Sequence, residues 1–406
     1  MKICFIFDGI PHYHVYLLNE INKVHPVTVI MPRSRSFFQD QHVHTTEEGD
    51  FQRVYVEKKK AFYGKNVLVG FKKAILTIKP DIIIYVWPYF LELITAPSLR
   101  RFLKAQNISI AIKEIPFFVP RYDESQEEFR NKAVLSMRDE KILHSPLNFF
   151  LQKKARKILY SKMVDYAFNY IEAGKELIGS YGLPQKNIFT TYNSDNTDAM
   201  MAAVAQAKKQ HTIVKNPYKL IHIGRLVPWK RVDLLIQACA KLKADFPKIE
   251  VDVIGSGPEM KNLKELAKSE GISDKIHFLG PIYDPIEKVR YFLEAGIYVL
   301  AGMGGLSINE AMAYGLPIVC SVCDGTEHHL VFDDKNGRFF QTDNLDSLVN
   351  ILKSMLANPS KLEKMGKESL QIIQNDINEH VVVRAYLDAF AQIEADRLKG
   401  NANSFA

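Results

Sequence analysis

Short apolar runs alternate with amphipathic helical patterns along the first half of the chain. The runs are mostly apolar throughout, which is typical of strands buried on both faces of a parallel sheet. Helices between such strands cover the two faces. The predicted strands are residues 2–7, 27–31, 53–56, 81–87, 109–113, 166–170 and 188–192. The predicted helices are residues 13–24, 66–78, 91–105, 147–162 and 173–181.

A second alternating unit follows a polar stretch at 202–216, which has the composition of a linker. Its predicted strands are residues 219–222, 250–254, 275–279, 297–301 and 317–320. Its predicted helices are residues 231–244, 258–270, 285–293, 307–313 and 345–357, and a long helical pattern follows at 378–398. Because the two halves share one pattern, we predict the same architecture for both.

The fold class predicted from this pattern is α/β, with two doubly wound, Rossmann-like domains that face a cleft. The N-terminal domain would span 1–205 together with the terminal helix at about 378–400, and the C-terminal domain would span 213–377. Ligands of open parallel sheets bind at the carboxyl ends of the strands. Gly9 lies just past the first predicted strand. We therefore expect Gly9 to border a ligand site.

Composition supports a soluble protein with two cores. A chain of 406 residues is too long for one core, and hydrophobic and charged contents of 47% and 24% are ordinary for globular proteins. No apolar stretch is long enough to span a bilayer, and the start of the chain does not resemble a signal peptide. The four cysteines lie in or beside apolar runs, as reduced thiols do. These features predict a cytoplasmic protein.

The charge balance indicates the kind of partner. A formal net charge of +7 favours anionic ligands or an acidic membrane surface. Residues 149–160 are basic and amphipathic, so this helix can lie on anionic lipid at the inner face of the cell membrane, or pack on the sheet with its lysines in water. The charged stretch 122–141 predicts an exposed insertion or loop. Nucleic acid is not an expected partner, because no basic motif with interleaved aromatic residues occurs.

A glycine-rich turn stands between two apolar runs in the second half. Gly302, Gly304 and Gly305 follow one run, and a helical pattern with Glu310 leads to the next. Such a turn lets the backbone approach a ligand, and the first N–H groups of the helix are suited to phosphate. A carboxylate one helical turn later can accept hydrogen bonds from ribose hydroxyls. An ordinary crossover, whose glycines only fit a tight turn, would have the same pattern.

Two cations follow the first strand of the second half. Gly224 gives the backbone of the turn conformational freedom. Arg225 then offers a planar guanidinium with paired donors, and Lys230 offers a compact positive charge near the start of the next helix. This pair suits a diphosphate. Two surface charges would look the same in the sequence.

The order of the motifs in the second half resembles the carboxyl-terminal half of retaining family 4 glycosyltransferases, which have the GT-B fold. The resemblance is close over residues 218–366 and loose elsewhere, and the motifs are specific only when taken together. The motifs are, in order, Gly224-Arg225-Leu226 with Lys230, Ile254-Gly255-Ser256-Gly257-Pro258, Phe278-Leu279-Gly280, residues 309–319, Glu327, and Asn336-Gly337.

The resemblance implies roles for individual residues. Arg225 and Lys230 would bind the diphosphate of a nucleotide-sugar donor, and Glu310 would take the ribose hydroxyls. Backbone amides at 305–307 would contact phosphate or sugar, and residues 280–282 would border the base. The candidate catalytic residues are thus Arg225, Lys230 and Glu310. The candidate donor-binding residues are Gly9, Gly224, Arg225, Lys230, Gly280, Ile282, Gly304, Gly305, Leu306, Ser307 and Glu310.

The sequence departs from the family pattern at two places. The family usually has a Glu eight positions before the one matched by Glu310, and this chain has Gly302 there. The family commonly has a His at the end of a middle strand of the first domain, whereas this chain has Lys113 and Glu114. Four side chains of the first domain are therefore alternatives for facing the donor. They are His12, His14, Lys113 and Glu114.

The resemblance implies a retaining glycosyltransferase of the hexosyltransferase type. It would move a sugar from a nucleotide-diphosphate sugar to a glycan or lipid-linked glycan, in surface polysaccharide or glycoconjugate synthesis. No cofactor or metal is expected, because Arg225, Lys230 and a helix terminus supply the positive field. A nucleotide-sugar 2-epimerase of the same fold and a non-catalytic GT-B subunit of a partner enzyme are the alternatives.

Overall fold

The structure, a computed structural model, describes residues 1–404 except 34–44, 62–63, 117–118, 132–144, 211 and 324. The described chain forms two compact units. The first contains Met1–Phe129, residues 145–192 and the terminal helix from His380, and the second contains Asn193–Glu379. The first unit therefore ends at Tyr192, whereas the sequence placed this boundary near residue 205.

The first unit is built on one twisted sheet, which has eight strands among the described residues, in the order β4-β3-β2-β1-β5-β6-β7-β8. All neighbouring strands are parallel except β3 and β4. The strands are β1 (Ile3–Ile6), β2 (Val27–Pro32), β3 (Gln52–Lys60), β4 (Asn66–Val69), β5 (Ile82–Tyr85), β6 (Ser109–Lys113), β7 (Tyr166–Asn169) and β8 (Ile188–Thr190).

Helices cover both faces of this sheet, as the apolar strands predicted. One face packs in a cluster around Ile83 and Tyr85, and the other in a cluster around Phe5 that includes Phe390 of the terminal helix. The helices are α1 (Val15–Val24), α2 (Phe71–Ile78), α3 (Leu91–Thr95), α4 (Pro97–Ala105), α5 (Gln126–Arg130), α6 (Pro146–Lys162), α7 (Ala173–Ser180) and, from its second residue, the terminal helix Glu379–Ser404.

The prediction of a single helix over 66–78 was wrong. Residues Asn66–Val69 form β4, which pairs with β3 in antiparallel register, and α2 begins only at Phe71. Gly70 separates the two elements with a left-handed φ of 83°, a conformation that glycine adopts at little cost. The charged stretch 122–141 is only partly visible, since residues 132–141 lie outside the described part of the chain.

The second unit has a fully parallel sheet with six strands in the described chain, in the order β11-β10-β9-β12-β13-β14. This order reverses direction between β9 and β12, which is the point where open α/β sheets bind ligands. The strands are β9 (Lys219–Ile223), β10 (Glu250–Ile254), β11 (Ile276–Gly280), β12 (Ile297–Leu300), β13 (Ile318–Ser321) and β14 (Gly337–Phe340).

The predicted linker at 202–216 is instead largely helical. Helix α8 (Thr197–Gln210) buries Met200, Ala203 and Ala207 and packs on α11 and α12. Small residues three and four positions apart form its packed face, so the polar composition here reflects one exposed side of a helix. The other helices of this unit are α9 (Val232–Leu242), α10 (Met260–Ser269), α11 (Pro285–Glu294), α12 (Ser307–Ala313), α13 (Glu327–Leu330), α14 (Leu345–Leu356) and α15 (Pro359–Asn375).

None of the helices among the described residues is both long and apolar enough to cross a bilayer.

Candidate functional site

The loops after β9 and β10 pack backbone against backbone. A Cβ on Gly255 would lie 1.9 Å from the Gly224 carbonyl oxygen, and one on Gly257 would lie 2.2 Å from the Leu226 carbonyl oxygen. The amide of Leu226 donates to the Ser256 carbonyl at 2.9 Å. Only glycine fits at these contacts, so the pattern Gly-x-Gly here reflects close approach of two loops.

Lys230 connects the loop after β9 with the loop after β12. It ends a 3₁₀ turn (Pro228–Lys230) and is 8% exposed. Its Nζ donates to the Gly304 carbonyl at 2.9 Å. The half-buried Arg225 guanidinium lies 5.8 Å from the centroid of the Trp229 ring. The two predicted cations therefore stand at the carboxyl end of β9, beside the reversal of strand order.

Gly302 lies directly against this 3₁₀ turn. A Cβ at Gly302 would lie 2.2 Å from the Trp229 carbonyl oxygen and 2.6 Å from the Lys230 carbonyl carbon. The next amide, of Met303, donates to the same Trp229 carbonyl at 2.8 Å. This backbone contact leaves no room for a side chain at 302. The departure from the family pattern is therefore built into the local packing.

The turn then opens at Gly304 and Gly305. Gly305 is exposed and has a φ of 142°, in the range that favours glycine. A Cβ there would lie 3.7 Å from the Lys230 Nζ. Leu306 and Ser307 are half-buried at the start of α12, which has seven residues. The glycines thus leave the backbone beside Lys230 accessible to a ligand.

Glu310 is held by a lysine that the sequence did not single out. Glu310 is 6% exposed on α12, and Lys288, 7% exposed on α11, donates to its Oε1. Burial raises the pKa of Glu310, the Lys288 ammonium lowers it, and the carboxylate of Asp195 raises it. The ion pair thus opposes the effect of burial, and it occupies one of the two carboxylate oxygens of Glu310.

His222 is a second buried titratable group near these loops. Its Nδ1 lies 3.0 Å from the Val299 carbonyl oxygen, and its Nε2 has no hydrogen-bond partner among the described residues. Burial, together with the positive charge of Lys230, lowers the pKa of His222 to about 4 even though the contact with Val299 raises it. The imidazole is therefore neutral at physiological pH, and Nδ1 carries the proton that Val299 accepts.

The remaining predicted donor-site residues of this unit lie at the end of β11. Gly280 has a left-handed φ of 79° and open space where a Cβ would be, and its carbonyl accepts from the Gly255 amide at 2.8 Å. Ile282 is 8% exposed. The ends of β9, β10 and β11 are thus linked by hydrogen bonds, and the predicted base-bordering segment belongs to the same sheet edge as Gly224.

Gly9 belongs to the first unit and follows β1. The preceding residue, Asp8, is buried, accepts a hydrogen bond from the Tyr89 hydroxyl, and lies 3.6 Å from the Lys58 Nζ. Gly9 therefore lies just past a strand end, as predicted, next to a carboxylate that contacts Tyr89 and Lys58.

The four alternatives at the first unit differ in environment. Glu114 is buried and accepts from Arg156 at 2.7 and 3.0 Å and from the Tyr160 hydroxyl at 2.6 Å. It is thus a structural ion-pair partner. His14 stacks on Phe7, and burial lowers its pKa, with Lys113 and His12 adding to the effect. His14 is therefore a neutral imidazole, and the ammonium of Lys113 is one of the groups that keep it so.

The residues that the sequence analysis missed are Lys288 and His222. Lys288 lies beside Glu287 in an ordinary charged helical pattern, and His222 lies in an apolar strand. Nothing in the local sequence separates them from solvated or packed residues. Only the contact of α11 with α12 and of β9 with β12 gives them their partners.

The architecture defines the class of protein first. Two Rossmann-like units, the first with a largely parallel sheet and the second with a fully parallel one, form the GT-B fold. HepE from Anabaena, solved in complex with UDP, superposes with a TM-score of 0.68 over 97% of this chain and 100% of that one, at 16% identity. A likeness at this identity concerns the fold.

The second unit carries the sequence similarity to a known family. Residues 203–371 match the model of the family described as glycosyl transferases group 1. An uncharacterized glycosyltransferase from Haemophilus influenzae is 31% identical over 37% of this chain and 42% of its own length. One from Methanocaldococcus jannaschii is 26% identical over 66% of this chain and 65% of its own length. The matches thus span less than two thirds of both relatives.

Proposed function

We propose that the protein is a glycosyltransferase that uses a nucleotide-diphosphate sugar. The observation that carries the proposal is the arrangement around the reversal of strand order in the second unit. Lys230 and Arg225 supply positive charge there, the glycine turn exposes backbone, and Glu310 is buried on the helix that follows. The family match and the structural similarity to HepE support this assignment.

In the proposed complex, the diphosphate binds to the two cations. Arg225 offers a planar pair of donors and Lys230 a compact charge, which together stabilise negative charge on the leaving diphosphate. Oε2 of Glu310, the oxygen opposite the one that Lys288 contacts, accepts hydrogen bonds from ribose hydroxyls. Residues 280–282 border the base.

The proposed transfer retains the configuration of the sugar and uses no metal. The bond between the anomeric carbon and the diphosphate oxygen breaks, and a bond to the acceptor oxygen forms on the same face. The acceptor proton passes to the departing diphosphate. The chemistry therefore requires no dedicated protein base. Arg225 and Lys230 neutralise the negative charge of the diphosphate, as a metal ion would otherwise do.

The proposed acceptor is a glycan or a lipid-linked glycan, with a role in surface polysaccharide or glycoconjugate synthesis in the cytoplasm. A lipid-linked acceptor would bring the protein to the inner face of the cell membrane. The structure of HepE with UDP makes uridine nucleotides the first donors to test.

Binding is tested by a thermal-shift screen of the full chain against UDP, GDP and ADP and against their sugars. We expect at least one nucleoside diphosphate to raise the melting temperature in a concentration-dependent way. Glu310→Gln should weaken binding of the same nucleotide, because an amide replaces the charged acceptor. If no nucleotide shifts the transition, the proposed donor site is wrong.

A non-catalytic role is favoured by one observation, the lack of space for a side chain at Gly302. In that case the chain would bind a nucleotide sugar and support a partner enzyme. The purified chain is given a nucleotide sugar that it binds, with and without a panel of acceptor glycans, and both released nucleoside diphosphate and the sugar nucleotides are analysed. Release of nucleoside diphosphate only with an acceptor supports transfer, conversion of the nucleotide sugar to its 2-epimer without an acceptor indicates the 2-epimerase, and neither change indicates the subunit.

A further inference from the structure

Helix α6 of the first unit has two apolar faces, one buried and one exposed. The buried face carries Phe149, Leu159 and Tyr160, which pack into the unit. The exposed face carries large apolar side chains over three turns. These are Leu147 at 64% exposure, Phe150 at 54%, Leu151 at 52% and Ile158 at 42%.

The exposed residues form one continuous stripe. Their spacing of three, four and seven positions places them on one side of a helix with 3.6 residues per turn. Lys154 lies on the same side, 5.4 Å from the centroid of the Phe150 ring. We name this stripe the exposed face of α6, and it consists of Leu147, Phe150, Leu151, Lys154 and Ile158. It extends about 16 Å along the helix axis.

The charges on this helix all have one sign. Its sequence, Pro146–Lys162, contains four lysines and one arginine and no acidic residue. Arg156 points inward to Glu114, so the outward charge comes from lysines. Lys154 and Lys162 are exposed, and Lys153 and Lys157 flank the stripe above the Tyr122 ring, at 5.7 and 4.9 Å.

We propose that the exposed face of α6 docks on an anionic lipid bilayer. Apolar side chains that lie among lysines on a surface helix match the boundary between acyl chains and anionic headgroups. The apolar residues would enter the acyl region, and the lysines would reach the phosphates. A protein partner would need to supply acidic groups around an apolar groove, whereas an anionic bilayer supplies both properties everywhere.

The geometry also fixes the orientation of the helix. The buried face of α6 holds it to the sheet, so the helix must lie flat on the bilayer, with its axis parallel to the surface. Insertion would be limited to the side chains of one stripe. Binding should therefore be reversible and sensitive to salt, since lysine contacts with headgroups are screened.

The test is co-sedimentation of the full chain with vesicles. We expect binding to vesicles of phosphatidylglycerol and phosphatidylcholine, and little binding to phosphatidylcholine alone. Phe150→Ser combined with Leu151→Ser should lower the partition coefficient about tenfold or more, because two apolar side chains no longer enter the membrane. Leu76→Ser is the matched control, since Leu76 is 49% exposed on α2 and should leave binding unchanged.

Charge is tested separately. Lys154→Gln combined with Lys162→Gln should lower binding to the anionic vesicles about fivefold for each lysine removed. Lys248→Gln, which removes an exposed lysine of the second unit, should have little effect. All variants change exposed side chains, so their unfolding transitions and their binding of nucleoside diphosphate should match the wild type. Membrane binding by the exposed face of α6 and the proposed transfer reaction are thus tested independently of each other.

Two outcomes would overturn the proposal. The first is absence of binding to anionic vesicles by the full chain, or equal binding by the Phe150 and Leu151 double variant. The second is a dimer, seen by light scattering, that this double variant dissociates while vesicles have no effect. That result would assign the exposed face of α6 to a second copy of the chain.

Discussion

Removal of Lys288 should show how far the stability of the second unit depends on the ion pair between Lys288 and Glu310. Lys288→Met keeps the length and apolar stem of the side chain but leaves Glu310 buried without its cation. Loss of one partner of a buried pair typically costs about 3–5 kcal/mol, because the remaining charge is uncompensated. Glu310 can avoid part of this cost by taking up a proton.

Protonation sets the magnitude at each pH. The usual pKa of a glutamate is 4.5, so keeping it protonated in the folded state costs at most about 3.4 kcal/mol at pH 7 and about 0.7 kcal/mol at pH 5. The lost ion pair should therefore lower the free energy of unfolding by about 3 kcal/mol at pH 7 and by less than about 1 kcal/mol at pH 5.

Proton binding by Glu310 decides whether stability rises or falls with pH. Because burial raises the folded pKa of Glu310 above 4.5, the folded state binds more protons than the unfolded state between that value and the raised one. Stability from this group therefore increases as the pH falls through that window. Lys288→Met extends the window upward, because it removes the group that lowers the pKa of Glu310.

The assay is urea unfolding at pH 5 and pH 7, followed by circular dichroism. Lys288→Met combined with Glu310→Gln should recover most of the stability at pH 7, because no buried charge remains. Lys241→Met, which breaks an exposed pair with Asp346 at 2.7 Å, is the matched control and should change stability by less than about 0.5 kcal/mol. Equal destabilisation at both pH values, or no recovery in the double variant, would refute the reasoning.

Three further predictions concern neighbouring groups. Lys230→Ala should weaken binding of a nucleoside diphosphate by about 1.5–3 kcal/mol in calorimetry, and an unchanged affinity would remove Lys230 from the site. Gly302→Ala should destabilise the protein by about 1–3 kcal/mol in thermal unfolding, because its Cβ would meet the Trp229 carbonyl; Gly179→Ala, whose nearest neighbour would lie at 3.6 Å, should not. His222, with a folded pKa of about 4 against a usual 6.5, should make stability rise with pH between those values; His222→Gln should flatten that rise in urea unfolding, and an unchanged slope would contradict the buried neutral imidazole.

The two-unit α/β fold could be predicted because apolar strands and amphipathic helices have different periods. The errors arose where the partner of a segment decided its structure. Residues Asn66–Val69 form a strand because β3 is long enough to pair with them, and a helical period in 66–78 does not reveal that partner. The polar stretch at 202–216 becomes helical because α11 and α12 cover its small residues.

In the candidate site, too, local sequence predicts the residues but not the partners that they contact. Gly224, Arg225, Lys230 and Glu310 could be located because each follows an apolar strand at a short distance in the sequence. Their mutual contacts could not, since the contact from Lys230 to Gly304 joins residues that are 74 positions apart. Lys288 is the clearest case, because its role depends entirely on the burial of a helix that looks ordinary in sequence.

The close backbone packing of Gly224, Gly255 and Gly257 has a consequence for the thermodynamics of binding. These loops are held by carbonyl contacts and hydrogen bonds within the unit itself, so a ligand would not have to order them. Binding to a preorganised loop loses little conformational entropy. Affinity at this edge of the sheet should therefore depend on charge and hydrogen bonding. A side chain introduced at Gly255 would weaken binding because it loosens the loop, even though it removes no group that contacts the ligand.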